Sequence, residues 1–239
     1  MKKISVSAVS YTNTLPFLQG IRNSEILSEI ELSVDYPAEC ARKVITNEVD
    51  MGIIPIAALL DLPTYHIIGD YCIGSDGAVD SVFIFSSKPA HEINTLLLDK
   101  QSRTSNGLAR ILLKHHWKRD IRVVTEGEAD AYVLIGDRTF GKKASVPYAY
   151  DLGHYWKEMT GLPFAYAVWV SNKKLPETFE RSFNAALAEG VSHPEDVIPG
   201  LPVYDNFDYK TYLTQHLDFH LTPEKREAIN RYLTLYRQL

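Results

Sequence analysis

The residues best placed to do chemistry in this chain are uncharged hydroxyls and amides that follow apolar stretches of strand length. A helix that begins at such a point offers unpaired N–H groups and a partial positive charge, so neutral side chains beside it can complete a carboxylate or phosphate site. Two such helix starts facing one cleft would suit a small dicarboxylate. The four places are Ser10-Tyr11-Thr12-Asn13-Thr14, Gly74-Ser75-Asp76-Gly77 followed by Ser81, the group Ser102, Thr104, Ser105 and Asn106, and Gly136-Asp137 followed by Arg138.

The same side chains are also ordinary helix caps. Ser, Thr, Asn and Asp are the preferred residues at the first position of a helix, where they accept a backbone hydrogen bond. For a single cluster, capping is the simpler interpretation. Between Ser102 and Asn106 four polar side chains stand where a cap needs one, so capping and ligand binding both stay open there.

Other catalytic chemistries lack their motifs. The glycine loops that bind nucleotides, the HExxH zinc motif and the G-x-S-x-G serine elbow are absent. His115 and His116 are adjacent on a predicted helix, so their rings face different ways. The best-placed carboxylates are Asp99, which we interpret as a loop or capping residue, and Asp137. Asp137 could act as a base, as a hydrogen-bond acceptor for a substrate or as a cap for its own turn.

Composition narrows the class of protein. The formal net charge is −5 and the pI about 5.9, and Lys and Arg are scattered, so no nucleic-acid or anionic-membrane surface is indicated. The N-terminus lacks the apolar core and cleavage site of a signal peptide, and no stretch approaches the roughly 20 apolar residues that span a bilayer. We therefore expect a soluble cytoplasmic protein. Cys40 and Cys72 lack metal or redox spacing and are predicted to be buried free thiols.

Strand-length apolar runs alternate with amphipathic helical patterns, which predicts an α/β fold with largely parallel sheets. The pattern restarts near residue 95. We predict two lobes with a cleft between them: lobe I comprises residues 1–88 and 173–239, and lobe II, residues 89–172, is inserted into it. The alternating aromatic residues Phe164, Tyr166 and Trp169 are interpreted as core, and the chain after Pro176 as largely helical.

Six stretches of the chain form a recognisable series: SYTNTLPF, NEVDMGIIPIAAL, IGSDGAVDSV, LDKQSRTSNGLARILL, LIGDRTF and YDLGHYWKEMTGLPFAYAVWV. They occur in the order seen in the chorismate dehydratases of the futalosine route to menaquinone, and residues 4–172 resemble that family. The resemblance implies a two-lobed type II periplasmic-binding-protein-like fold. It also implies a lyase that removes water from chorismate to give 3-[(1-carboxyvinyl)oxy]benzoate, with no metal or redox cofactor.

A sister family, the 1,4-dihydroxy-6-naphthoate synthases, shares this fold and pathway. It carries a catalytic His in an Ile-His-Glu element, where this chain has Ile135-Gly136-Asp137. The missing His favours the dehydratases. A non-catalytic cytoplasmic protein that binds a small anion is the other alternative, and the sequence does not decide between a monomer and a homodimer.

The resemblance places the family's asparagine at Asn13. An amide is no base at neutral pH but can hold a hydroxyl or carboxylate. We expect Asn13 to position chorismate while the substrate's own side-chain carboxylate takes the ring proton, with Asp137 as the rival base. Ser102, Thr104, Ser105 and Asn106 are candidates for one substrate carboxylate, Ser81 and the Ser10–Thr14 turn for the other end, and Gly136 and Arg138 for further contacts.

Overall fold

Two five-stranded sheets frame residues 3–239, the part of the chain that is described by a computed structural model. The strands lie where the apolar runs predict them, with one addition, β9, which falls in a stretch that the sequence assigns to a helix. The strands are β1 Ile4–Val9, β2 Ile30–Asp35, β3 Met51–Pro55, β4 His66–Ser75, β5 Val82–Ser86, β6 Thr95–Leu97, β7 Arg122–Val124, β8 Ala131–Ile135, β9 Tyr148–Asp151 and β10 Phe164–Ser171.

Each sheet combines parallel and antiparallel strands. The first has the order β2-β1-β3-β10-β4; β1 is parallel to β2 and β3, and β10 runs antiparallel between β3 and β4. The second has the order β7-β6-β8-β5-β9; β6 is parallel to β7 and β8, and β5 runs antiparallel between β8 and β9. The carboxyl ends of β1 and β8 carry the turns that form the candidate site.

The helices begin and end at local sequence signals. Pro37 occupies the first turn of α2, Thr222 accepts a hydrogen bond from the Lys225 backbone N–H ahead of Pro223, and Gly161, at φ +74°, ends α4. These are the residue types expected at helix starts and ends. The helices are α1 Leu15–Asn23, α2 Pro37–Ile45, α3 Arg103–Ile111, α4 Leu152–Thr160, α5 Glu177–Ser192, α6 Tyr209–Thr211 and α7 Pro223–Tyr236.

Asp151 corrects the predicted start of α4. The sequence pattern places Tyr150 and Asp151 inside that helix, whereas the Asp151 carboxylate caps it by accepting hydrogen bonds from the Gly153 and His154 N–H groups. The preceding residues form β9 because they pair with β5. Pairing with a distant strand is a tertiary effect that a local pattern does not carry.

The chain crosses between the sheets earlier than the predicted lobe boundaries. β5 belongs to the second sheet and β10 to the first, so the crossings lie at residues 76–81 and 161–163. Boundaries after residues 88 and 172 would assign both strands to the opposite lobe. The predicted boundaries differ because β5 and β10 are buried throughout or nearly so. An apolar run of this kind predicts a buried strand but does not specify which sheet the strand joins.

Buried side chains fill both lobes. Cys40 and Cys72 are free and buried, as predicted. Phe164, Tyr166 and Trp169 are also buried, in agreement with their interpretation as core. Within residues 3–239, no helix combines the length and the apolar character needed to cross a membrane.

Candidate functional site

A cavity between the two sheets collects most of the predicted site residues. Its floor and walls come from the turn after β1, the residues before β5, the start of α3 and the turn after β8. The predicted residues that line it are Tyr11, Asn13, Thr14, Ser81, Ser102, Thr104, Ser105 and Gly136. Apolar side chains such as Ile73, Val79 and Val82 complete the walls. The cavity therefore pairs uncharged donors with apolar surface, which is typical of small-molecule sites.

Asn13 presents free donors to this cavity. It lies in a short 3-10 turn, Thr12–Thr14, that leads into α1, and neither Tyr11 nor Thr14 makes a side-chain capping bond there. The Thr14 hydroxyl donates to Asn13 Oδ1 over 3.1 Å. The Asn13 NH₂ group lies close enough to the Tyr212 hydroxyl to interact weakly with it. This contact engages at most one of its two N–H donors, and the other has no hydrogen-bond partner within residues 3–239. The cluster is thus more than a helix cap: it leaves an amide donor available to a ligand.

Asp137 joins the turn after β8 to the turn after β1. The Thr12 backbone N–H donates to its Oδ1 and Oδ2 over 3.1 and 3.3 Å, and the Thr12 hydroxyl donates to Oδ2 over 2.9 Å. Burial raises the pKa of Asp137 above its ordinary value, and the Thr12 hydrogen bonds partly oppose this. Asp137 does not line the cavity. Both its oxygens are engaged in holding the two turns together.

Tyr11 and Gly136 form a second contact between the same turns. Gly136 has φ +61°, and a Cβ atom there would lie 3.1 Å from two carbons of the Tyr11 ring. Glycine satisfies both requirements, the left-handed backbone and the close approach of the ring. The Tyr11 hydroxyl donates to the Gln101 side chain, and burial raises the pKa of Tyr11. Tyr11 therefore forms part of the cavity wall and has its own polar partner.

At the start of α3, two of the three hydroxyl residues that line the cavity already accept backbone hydrogen bonds. Ser102 Oγ caps the helix by accepting from the Ser105 N–H over 3.1 Å, and Thr104 Oγ1 accepts from the Ala57 N–H over 3.1 Å. The Ser105 hydroxyl has no hydrogen-bond partner within residues 3–239. One residue suffices for the cap, so Ser105 remains available to a ligand.

Three predicted binding residues lie outside the cavity lining. Asn106 is held by Asp99: its Oδ1 accepts from the Asp99 N–H over 2.8 Å and its Nδ2 donates to the Asp99 carbonyl over 2.7 Å. Arg138 forms an ion pair with the buried Asp99 carboxylate, with 2.8 Å between Nη2 and Oδ2. Ser10 is exposed at the end of β1. Asp99 thus organises a loop and neutralises Arg138.

Two tyrosines at the site were missed by reasoning from the sequence. Tyr166 lines the cavity, and its buried hydroxyl has no hydrogen-bond partner within the described chain. Tyr212 is fully buried and donates to Ser81 Oγ over 3.0 Å. Strand alternation indicated burial of Tyr166 but not the cavity beside it. Tyr212 lies in the C-terminal part of the chain, where the sequence carries no motif.

No group of three or more His, Cys, Asp or Glu residues in positions 3–239 is arranged to hold a metal ion.

Comparison with known proteins gives one family and one fold. The sequence model of a family described as menaquinone biosynthesis matches residues 4–238. The chorismate dehydratase of Thermus thermophilus is 25% identical over 213 residues, which cover 78% of this chain and 77% of that protein.

Solved structures share the architecture at low sequence identity. A crystal structure of an Archaeoglobus fulgidus protein superposes with a TM-score of 0.74 and 15% identity, covering 99% of this chain and 97% of that one. A Candida albicans protein, described as having the generic periplasmic binding protein structural fold, gives a TM-score of 0.65 and 14% identity, covering 100% of this chain and 91% of that one. The predicted periplasmic-binding-protein-like fold is confirmed.

Proposed function

The chain belongs to the menaquinone biosynthesis family, and on that premise we propose that it is a chorismate dehydratase, the first enzyme of the futalosine route. The observation that carries the proposal is the free amide of Asn13 in a cavity whose polar lining is uncharged. Chorismate carries two carboxylates on a small carbocyclic skeleton. Amide and hydroxyl donors suit the carboxylates, and the apolar walls suit the ring.

The proposed reaction is an elimination. A proton leaves the ring carbon that bears the enolpyruvyl ether, hydroxide leaves the neighbouring carbon, and the products are water and 3-[(1-carboxyvinyl)oxy]benzoate. Loss of a proton and a hydroxide is redox-neutral, so the step needs no electron donor or acceptor, and aromatisation of the ring supplies the driving force. The enzyme mainly has to orient the substrate and manage one proton.

The geometry favours the substrate's side-chain carboxylate as the base. Asp137, the rival, has both oxygens occupied by Thr12 and lies outside the cavity lining. Asn13 has donors but no basic group. In this mechanism Asn13 and Ser105 hold the substrate so that its own carboxylate reaches the ring proton, which accounts for the lack of charged side chains in the cavity.

The two alternatives differ in what they require. A 1,4-dihydroxy-6-naphthoate synthase would need the histidine that Gly136 replaces. A non-catalytic binding protein is supported by the fold, since a solved structure of similar fold is described by its binding-protein architecture. A cytoplasmic location stays a prediction from the sequence.

The experiment that tests the proposal is incubation of the purified protein with chorismate, followed by chromatography and mass measurement of the product. We expect a product lighter than chorismate by one water molecule, with the retention of authentic 3-[(1-carboxyvinyl)oxy]benzoate. Unchanged chorismate would contradict the proposal. The Asn13→Asp variant, purified in the same way, controls for contaminating activity.

A further inference from the structure

Tyr212 lies behind the cavity wall and contacts the lining residue Ser81 from a part of the chain far from the other site residues. It begins a π-helical turn, Tyr212–His216, that follows α6. Its ring packs edge-on against Phe140, with 5.3 Å between the ring centroids, and its side chain is 0% exposed. Its hydroxyl donates to Ser81 Oγ over 3.0 Å. Packing of the ring keeps the Tyr212 hydroxyl within hydrogen-bond distance of Ser81 Oγ.

This bond determines what the Ser81 hydroxyl can do. Ser81 is 1% exposed and lines the cavity. A serine hydroxyl has one proton and two acceptor positions. Tyr212 occupies one of the acceptor positions, and the proton has no acceptor within residues 3–239. That proton is therefore left for an oxygen atom of a molecule in the cavity.

Tyr212 remains a donor at every pH at which the protein would work. Burial raises the pKa of Tyr212, and the hydrogen bonds with Ser81 and, more weakly, with Asn13 partly offset the increase. The Tyr212 hydroxyl therefore lies beside two residues of the proposed site that come from opposite sheets.

We propose that Tyr212 is a positioning residue, which holds the Ser81 hydroxyl so that its proton is donated to a carboxylate oxygen of the substrate. This inference rests on the proposed function, because it assigns a contact within the same site. We assign the Ser81 contact to the ring carboxylate, which keeps its charge during the elimination because the side-chain carboxylate is the proposed base. The contact therefore stabilises the substrate and the transition state equally, and its loss raises KM more than it lowers kcat.

A double-mutant cycle with Tyr212→Phe and Ser81→Ala tests the inference. Tyr212→Phe removes one hydroxyl and keeps the ring, and we expect KM for chorismate to rise about three- to tenfold with kcat nearly unchanged. Ser81→Ala should raise KM at least as much. The double variant should be no worse than Ser81→Ala, because Tyr212 acts through Ser81.

Tyr209→Phe is the matched control. Tyr209 also packs against Phe140, with 5.7 Å between the ring centroids, but its hydroxyl donates to the Pro202 carbonyl over 2.8 Å, away from the cavity. This variant should lose some thermal stability and keep the wild-type KM. The melting temperatures of the wild type and the four variants separate a loss of folding from a loss of positioning.

The outcomes separate this inference from the proposed function. If the wild type turns chorismate over but Tyr212→Phe has the wild-type KM, or its effect multiplies with that of Ser81→Ala, the inference is overturned alone. If the wild type binds chorismate without turnover, the dehydratase proposal fails. The double-mutant cycle then tests the role of Tyr212 with dissociation constants for chorismate in place of KM. If it neither binds nor converts chorismate, both fail.

Discussion

Thr12 and Asp137 connect the two sheets at the edge of the cavity: the Thr12 backbone N–H and hydroxyl both donate to the Asp137 carboxylate, over 3.1 and 2.9 Å. Thr12 follows β1 of the first sheet and Asp137 follows β8 of the second. A hydrogen bond to a charged group contributes more to stability than a neutral one. The carboxylate that could have served as a base is therefore used to hold the two turns together.

Asp137→Asn tests this role. The amide keeps one acceptor oxygen for Thr12 and loses the charge, so we expect kcat/KM to fall by less than about tenfold with chorismate still bound. A fall of about 10²–10⁴ with binding retained would instead identify Asp137 as a general base. Asp130→Asn is the control, because Asp130 also accepts from backbone N–H groups, those of Asn94 and Thr95, but lies before β8, at the opposite end of that strand from Asp137.

The raised pKa of Asp137 predicts a pH effect on stability. Burial raises this pKa above its ordinary value of 3.8, so the folded protein binds the proton more tightly than the unfolded chain. The contribution of Asp137 to the free energy of unfolding is therefore largest at acidic pH and is lost as the pH rises through the raised pKa. Denaturant unfolding at neutral and acidic pH should show the wild type gaining stability relative to Asp137→Asn as the pH falls. An equal difference at both pH values would contradict the raised pKa.

The reaction should be sensitive to both the charge and the size of the side chain at position 13. Asn13→Ala removes the free amide donor, and we expect kcat/KM to fall about 10- to 10³-fold. Asn13→Asp is nearly isosteric, but it places a carboxylate against a dianionic substrate, so the loss should be larger and should include weaker binding. Asn172→Ala is the control: its amide donates to the Val44 carbonyl and the Asn47 side chain, outside the cavity lining. Wild-type kinetics in Asn13→Asp would exclude a carboxylate site at this position.

Alanine variants of Ser102 and Ser105 should distinguish helix capping from substrate binding. Ser102→Ala removes the cap of α3 and should lower the free energy of unfolding by about 1 kcal/mol. Ser105→Ala removes a hydroxyl with no partner in the described chain, so the stability should be nearly unchanged while KM for chorismate rises. Denaturant unfolding and steady-state kinetics on both variants give the comparison. A Ser105→Ala variant with wild-type KM would remove this residue from the proposed site.

Local chemistry accounts for what could be predicted from the sequence. Pro37, Gly161 and Thr222 act within a turn of their own helix, so their roles could be assigned from neighbouring residues alone. The clusters at Asn13 and Ser105 were recognisable because each carries more polar side chains than a cap requires. Their meeting in one cavity followed from the rule that the carboxyl ends of strands in α/β sheets form binding sites.

The remaining features depend on partners distant in sequence. Arg138 and Asn106 are both tied to Asp99, and no local pattern shows that an arginine after β8 pairs with a carboxylate 39 residues earlier. The sheet membership of β5 and β10 is set by strand pairing. Tyr212 contacts Ser81 across 131 residues of chain and adjoins no motif. These are tertiary relationships, which single-sequence patterns do not encode.

The most direct test of the dehydratase proposal is to titrate chorismate into the purified protein in a calorimeter and to follow the ultraviolet absorbance of the same mixture with substrate in excess. We predict that chorismate disappears over many turnovers per protein molecule and that 3-[(1-carboxyvinyl)oxy]benzoate accumulates in equal amount, without added metal or redox cofactor. Tight binding of chorismate with an unchanged absorbance spectrum would contradict this and would identify a small-anion binding protein instead.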